Sequence, residues 1–215
     1  MVFSACIAVA IAGFFFWFRD RNKNARIICY AATACAVLAK GPAGAALVGL
    51  VIVVVLAIER RLPLIGDFWS WPLVLAALVI NGGWYALAYQ RGGDEFLAVQ
   101  LLRENFDRAF GTGNFDDHKS LLVLASWFAT RLLPWNLALL WSLIRRLRGE
   151  REDAAGRFLH AWWISIALIF ALAAGKRAIY LLPLYPAISV LAARVDDRTG
   201  SECHKSCLEQ RYDLG

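Results

Sequence analysis

Seven apolar blocks, at 2–18, 26–39, 43–58, 71–89, 121–143, 159–174 and 178–193, follow one another along the chain, most with only short polar stretches between them. Each approaches or reaches the roughly 20 residues that an α-helix needs to cross a ~30 Å hydrocarbon core. Lipid offers backbone amides and carbonyls no partners, so segments of this kind satisfy their own hydrogen bonds by folding as helices. With 60% hydrophobic residues in 215, the chain also carries more apolar surface than one soluble core could hide. The expected fold is all-α: a polytopic transmembrane bundle of about seven spans forming one domain over 1–198. A polar tail, 199–215, is expected to be disordered or non-native.

The first block has no basic region before it, and Arg19, Asp20, Arg21 and Lys23 follow it where a signal peptide would have small residues for cleavage. It reads as a span. A net charge of +6 could suggest nucleic acid, but the cations are scattered through short loops and form no stripe, so no nucleic-acid partner is expected. Cys6, Cys29 and Cys35 sit in apolar blocks as small hydrophobes, and Cys203 and Cys207 in the tail. Cys203-His204-Lys205-Ser206-Cys207 lacks the four-ligand set of a zinc site, so no metal is assigned.

Assigning loops to alternate sides puts 19–25, 59–70, 144–158 and 194–198 on one face and 40–42, 90–120 and 175–177 on the other. Arg19/Arg21/Lys23, Arg60/Arg61 and Arg145/Arg146/Arg148/Arg151 make the first set the cytoplasmic one under the positive-inside rule. Trp69, Trp71, Trp84, Trp135, Trp141, Trp162 and Trp163 lie mostly near span ends, where indole favours the headgroup layer. A single helix through 26–58 would be about 50 Å long, too long for one crossing, so Gly41-Pro42 must turn a hairpin. Lys40, Arg91, Arg103, Arg108, Lys119, Lys176 and Arg177 then lie on the outer face, against the orientation trend. Cations at outer helix ends suit a phosphate carried on a lipid; the bland alternative is snorkelling side chains in ordinary ion pairs.

In the 90–120 loop, Gly92-Gly93-Asp94-Glu95-Phe96 spells the diguanylate-cyclase signature by coincidence, because about thirty residues cannot hold that soluble α/β domain. Phe96, Val99, Leu102 and Phe106 recur at helical spacing, which predicts a short interfacial helix over 94–108. Glu104 with Arg108, and Arg103 with Asp107, stand four apart and could simply pair. Arg108 lies between Phe106 and Phe110 near the lipid boundary, which favours a further role. Farther on, Gly175-Lys176-Arg177 puts two cations in a tight outer turn, and Pro183 and Pro186 break or bend the helix that follows. Arg131, about ten residues into its block and followed by Pro134, is costly in lipid and is expected to face protein or water, or to snorkel.

Lys40-Gly41-Pro42, Gly92 to Phe96 through Glu104-Asn105-x-x-Arg108, Leu133-Pro134-Trp135, and Gly175-Lys176-Arg177 with Tyr180-Leu181-Leu182-Pro183-Leu184-Tyr185-Pro186 occur in that order. The series resembles the aminoarabinose-transferase and protein-mannosyltransferase-like membrane glycosyltransferases over about residues 1–193. That resemblance implies a GT-C-type fold in the bacterial cytoplasmic membrane. It also implies transfer of a sugar from a polyprenyl-phosphate donor, at the periplasmic face and with inversion, to a lipid A, protein or glycan acceptor. It places Arg108 near the lipid phosphate, with Lys40, Lys176, Arg177 and Tyr180 close to the same cavity. Glu104, Asn105, His118 and Arg131 are further cavity candidates.

Family members carry an acidic Asp-Glu motif in an outer loop after their first span, and nothing here fills that place. The chain is therefore expected to be an internal piece that starts after that loop, ends before later helices and transfers no sugar alone. Asn105 stands where some relatives have a metal-binding His, and the Pro expected after His118 is absent. No cofactor is assigned to these residues, although a complete enzyme could use a divalent metal. Two other classes stay open: a transporter or flippase for an anionic lipid, with Arg131 and the outer cations along its path, and a non-catalytic membrane subunit.

Overall fold

A computed structural model describes residues 1–97, 121–149, 152–172 and 178–194, and every regular element among them is helical. The helices α1 (Val2–Asp20) and α2 (Lys23–Lys40) form a tight antiparallel hairpin. Arg21 takes a left-handed conformation that ends α1, and the Asn22 side chain accepts from the Asn24 and Ala25 amides to start α2. Gly13 sets the closeness of the two helices, since a Cβ there would lie 2.8 Å from the Ala25 carbonyl oxygen.

The expected break at Gly41-Pro42 is present: Gly41 has φ 94°, its amide donates to the Val37 carbonyl, and α3 (Ala43–Ile58) runs back against α2. A short α4 (Leu64–Phe68) leads into α5 (Trp71–Leu97), which is kinked at Gly93. The interfacial helix predicted over 94–108 would start just after that kink, and its residues beyond Leu97 lie outside the described ones. Helix α5 packs mainly on α2 and leaves Leu75, Leu78, Val79, Ile80 and Leu87 exposed.

The apolar block 121–143 differs from its expected form as one span. It is two helices, α6 (Leu121–Arg131) and α7 (Trp135–Leu147), parted at Pro134, which lacks an amide hydrogen and whose ring opposes helix continuation. Carbonyls released at the break find partners: Asn136 Nδ2 donates to Ala129 at 2.8 Å, and the Tyr185 hydroxyl donates to Arg131 at 2.7 Å. Arg131 is thus the last residue of a helix and exposed, not a charge ten residues deep in a continuous span.

Helix α8 (Ala154–Leu172) starts five residues before the predicted block, because the Asp153 carboxylate accepts from the Gly156 amide and caps it. After residues outside the description, a 3₁₀ helix (Ala178–Leu184) carries Pro183 and gives way to α9 (185–194), as the two prolines require. The core lies where α1, α3, α8 and α9 meet. Ile7, Ile11 and Phe14 recur at helical spacing and bury against Val48, Val51, Val55, Ile166, Leu184 and Ile188. An aromatic group of Phe14, Trp17, Phe68 and Phe158 closes one end. Trp162 belongs to this core and not to the headgroup layer expected for it, being 5% exposed. By length and composition Val2–Asp20, Trp71–Glu95 and Ala154–Leu172 can each cross a bilayer, and Ala43–Ile58 and Leu181–Arg194 are shorter apolar helices.

Candidate functional site

The loops assigned to one face by their charges do meet at one end of the bundle, where acids hold them together. Arg157 of α8 grips Glu59, at the end of α3, with two bonds of 2.7 and 3.0 Å. Arg146 of α7 meets Glu152 at 2.8 Å, and Arg194 of α9 meets Asp153 at 2.9 Å. Arg26 donates to the Asp67 carbonyl at 3.0 Å, while the Arg61 guanidinium lies 5.7 Å from the Phe18 ring centre. The two hydrogen bonds from Arg157 hold the Glu59 carboxyl below its ordinary value, an effect larger than the opposing desolvation.

Next to this end lies a buried polar group that the apolar pattern of its block concealed. Trp163 Nε1 donates to His160 Nδ1 at 3.0 Å, so Nδ1 is an acceptor and the imidazole proton sits on Nε2. Nε2 lies 3.0 Å from both Glu152 Oε1 and Ser142 Oγ. A neutral imidazole has one hydrogen on Nε2 to give, so Glu152 Oε1 and Ser142 Oγ compete for it or share it. A Ser and a His on facing helices at matching depth would have been the sequence signal, but the turn between α7 and α8 that aligns them could not be read in advance.

The opposite end is built differently. Lys40 ends α2, where a cation complements the helix dipole, and its Nζ stands 5.1 Å from the centre of the Phe3 ring on α1. Phe3, Ser4 and Lys40 line a cavity of about 140 Å³ whose other wall is Phe170, Ile179, Leu182 and Pro183. Lys40 is thereby brought beside described residues of the segment that follows Lys176 and Arg177 in sequence, and none of the described lining residues is acidic. Tyr180 falls within the 3₁₀ helix of that segment. Arg108, Glu104, Asn105, His118, Lys176 and Arg177 lie outside the described residues, as does the Tyr180 side chain. Arg131 does not line the Lys40 cavity.

A larger apolar groove, about 490 Å³, runs between α2, α3 and α5 from Pro42 to Phe68 and Trp69. Its polar lining includes Asn81, whose Nδ2 donates to the Ala77 carbonyl at 2.8 Å. Among the described residues no group of three or more His, Cys, Asp or Glu side chains could hold a metal ion.

No family model matches the chain. Over 91% of its length it superposes on the crystal structure of ArnT from Cupriavidus metallidurans bound to undecaprenyl phosphate, with a TM-score of 0.78 and 25% identity. The chain carries an ArnT-like GT-C membrane fold. It is also 27% identical over 161 residues to the undecaprenyl phosphate-alpha-4-amino-4-deoxy-L-arabinose arabinosyl transferase of Shewanella sediminis, and 24% identical over 191 residues to an uncharacterised protein of Aquifex aeolicus. It covers 75% and 89% of its own length in those two alignments but only 29% and 37% of theirs, and 36% of the Cupriavidus chain. The chain therefore spans about a third of the proteins it matches, and the ArnT-like fold found in it is the part that this third contains.

Proposed function

We propose that this chain is the donor-binding part of a membrane glycosyltransferase that takes a sugar from a polyprenyl-phosphate carrier and passes it to a lipid A, protein or glycan acceptor. One observation carries the reading: Lys40 shares a cavity with the stretch just after Lys176 and Arg177, at the end of the bundle away from the acid-paired loops. The undecaprenyl phosphate bound to the Cupriavidus ArnT, which shares this fold, supports the same ligand class here. In the transfer, the bond between the anomeric carbon and the phosphate oxygen breaks while the acceptor oxygen bonds to that carbon from the opposite side. The acceptor proton leaves to a base, and the lipid phosphate departs with an added negative charge. Lys40, Lys176, Arg177 and Arg108, with the Tyr180 hydroxyl, would stabilise that charge as it develops, so no nucleotide is needed. The acceptor base belongs to the carboxylate loop of a longer polypeptide, and this chain alone is expected to turn over no donor.

The site faces the periplasm in this reading, because Arg60, Arg61, Arg145, Arg146 and Arg148 gather at the other end and orient it to the cytoplasm. The chain, reconstituted in phosphatidylcholine nanodiscs, should bind undecaprenyl phosphate, and the K40M/K176M/R177M variant should bind it at least tenfold more weakly. Equal binding by the two would remove the phosphate site. Single-cysteine labelling in intact cells should modify position 112 and spare position 148; the reverse pattern would overturn the facing. A transporter for an anionic lipid is not preferred, because Arg131 stands apart from the Lys40 cavity and ends a helix.

A further inference from the structure

Lys40 ends α2 on a flexible four-carbon stem, which in a bilayer would ordinarily extend to the headgroups. Here its ammonium stands over an aromatic face supplied by the neighbouring helix, 5.1 Å from the Phe3 centroid. Phe3 is itself partly buried against the core. Both side chains line the same cavity of about 140 Å³, facing Ile179, Leu182 and Pro183. A ring face attracts a cation through its quadrupole, and the attraction grows where water is scarce. The ring occupies one side of the ammonium and supplies no hydrogen-bond acceptor atom, so this contact itself uses none of the group's three N–H donors.

We infer that Phe3 is a positioning residue for the donor: its ring turns the Lys40 ammonium into the cavity and holds it there for the lipid phosphate. This rests on the reading of Lys40 as a phosphate ligand and adds a residue outside every motif that suggested that reading. The physical role is to fix in advance a side chain whose ordering would otherwise weaken binding. Leucine at position 3 would fill much of the space without the ring face. Tryptophan would keep a stronger one, and 3,4,5-trifluorophenylalanine would keep the shape while draining the ring of negative charge.

The test measures binding of undecaprenyl phosphate to the chain in phosphatidylcholine nanodiscs. Lys40→Met should weaken binding. Phe3→Leu and the trifluorinated ring should each weaken it about two- to tenfold, and Phe3→Trp should bind as the parent chain does. In the Lys40→Met background, Phe3→Leu should change nothing further. Parent-like binding by the trifluorinated chain overturns the inference, as does an undiminished effect of Phe3→Leu in that background, which would mark Phe3 as a packing residue only. Should Phe3→Leu fail to fold, the fluorinated chain decides alone. Parent-like binding by Lys40→Met instead overturns the role of Lys40, and the inference falls with it.

Discussion

The two ends of the bundle use cations in opposite ways. At one end Arg146, Arg157 and Arg194 are each matched by Glu152, Glu59 or Asp153 across helices. At the other, Lys40 sits over a phenyl ring in a cavity with no acid among its described lining residues. Cations matched within the chain have nothing left to offer a ligand and act as clasps. The Phe3 ring holds Lys40 without itself supplying a charge to neutralise it. Abundance of charge is therefore a poor guide to the ligand site in a membrane protein; the surroundings that hold each cation say more.

The contrast breaks most visibly at Arg108, expected to belong with Lys40. Arg108→Ala should weaken undecaprenyl phosphate binding by about ten- to over a hundredfold, the equivalent of losing a charge-assisted bond of roughly 1.5–3 kcal/mol. Arg103→Ala, four positions in sequence from the acid Asp107, should change binding less than about fivefold, as loss of a surface pair worth under 1 kcal/mol would. Nanodisc binding at matched protein amounts compares them. Equal losses would return Arg108 to the class of paired cations and leave the phosphate to Lys40, Lys176 and Arg177.

Next in size is a change that should strike the frame and spare the charges. Gly13→Val places methyl groups where a Cβ alone would already be 2.8 Å from the Ala25 carbonyl, so α1 and α2 must separate. Destabilisation of at least about 2 kcal/mol is expected, read from the midpoint of thermal unfolding in dodecylmaltoside. Because Phe3 is on α1 and Lys40 on α2, lipid binding should fall in the same variant. A stable variant with weakened binding would mean that the hairpin spacing matters for the site but little for the fold.

Sequence alone yields the parts of this molecule that depend on local length and chemistry. The Gly41-Pro42 hairpin follows because one helix over 26–58 is too long, and the irregular 178–184 segment follows from Pro183 and Pro186. The break at Pro134 was harder, because the residues on both sides remain apolar and a proline within a span often bends a helix without parting it. What could not be read is what depends on pairing at a distance: Glu59 and Arg157 are 98 positions apart. Nothing in an apolar run announces that His160 will meet Ser142 and Glu152, or that Phe3 will lie under Lys40. Of the candidate site, the resemblance pointed to Lys40 as a residue of interest, and its aromatic support from Phe3 was not legible.

The smallest expected effect is at the clasped end. Glu59→Gln keeps the shape and removes one charge of the Arg157 pair. Arg157 is 36% exposed and solvent screens the pair, so a loss of about 1 kcal/mol or less is expected, without change in lipid binding. The same pair sets a pH dependence whose sign follows from linkage. Bonds from Arg157 lower the Glu59 carboxyl in the folded chain relative to its ordinary value of 4.5. Its contribution is therefore complete above the ordinary value and is lost as pH falls through the lowered one. Parent and Glu59→Gln chains should differ in unfolding midpoint at pH 7 and converge as the pH falls through the lowered value of Glu59 and acid protonates it. Undecaprenyl phosphate affinity at pH 7 should be the same in both. A gap that persists into acid would mean that Glu59 acts through packing and not charge, while a loss of lipid binding in Glu59→Gln would show that the two ends are coupled through α3 and α8.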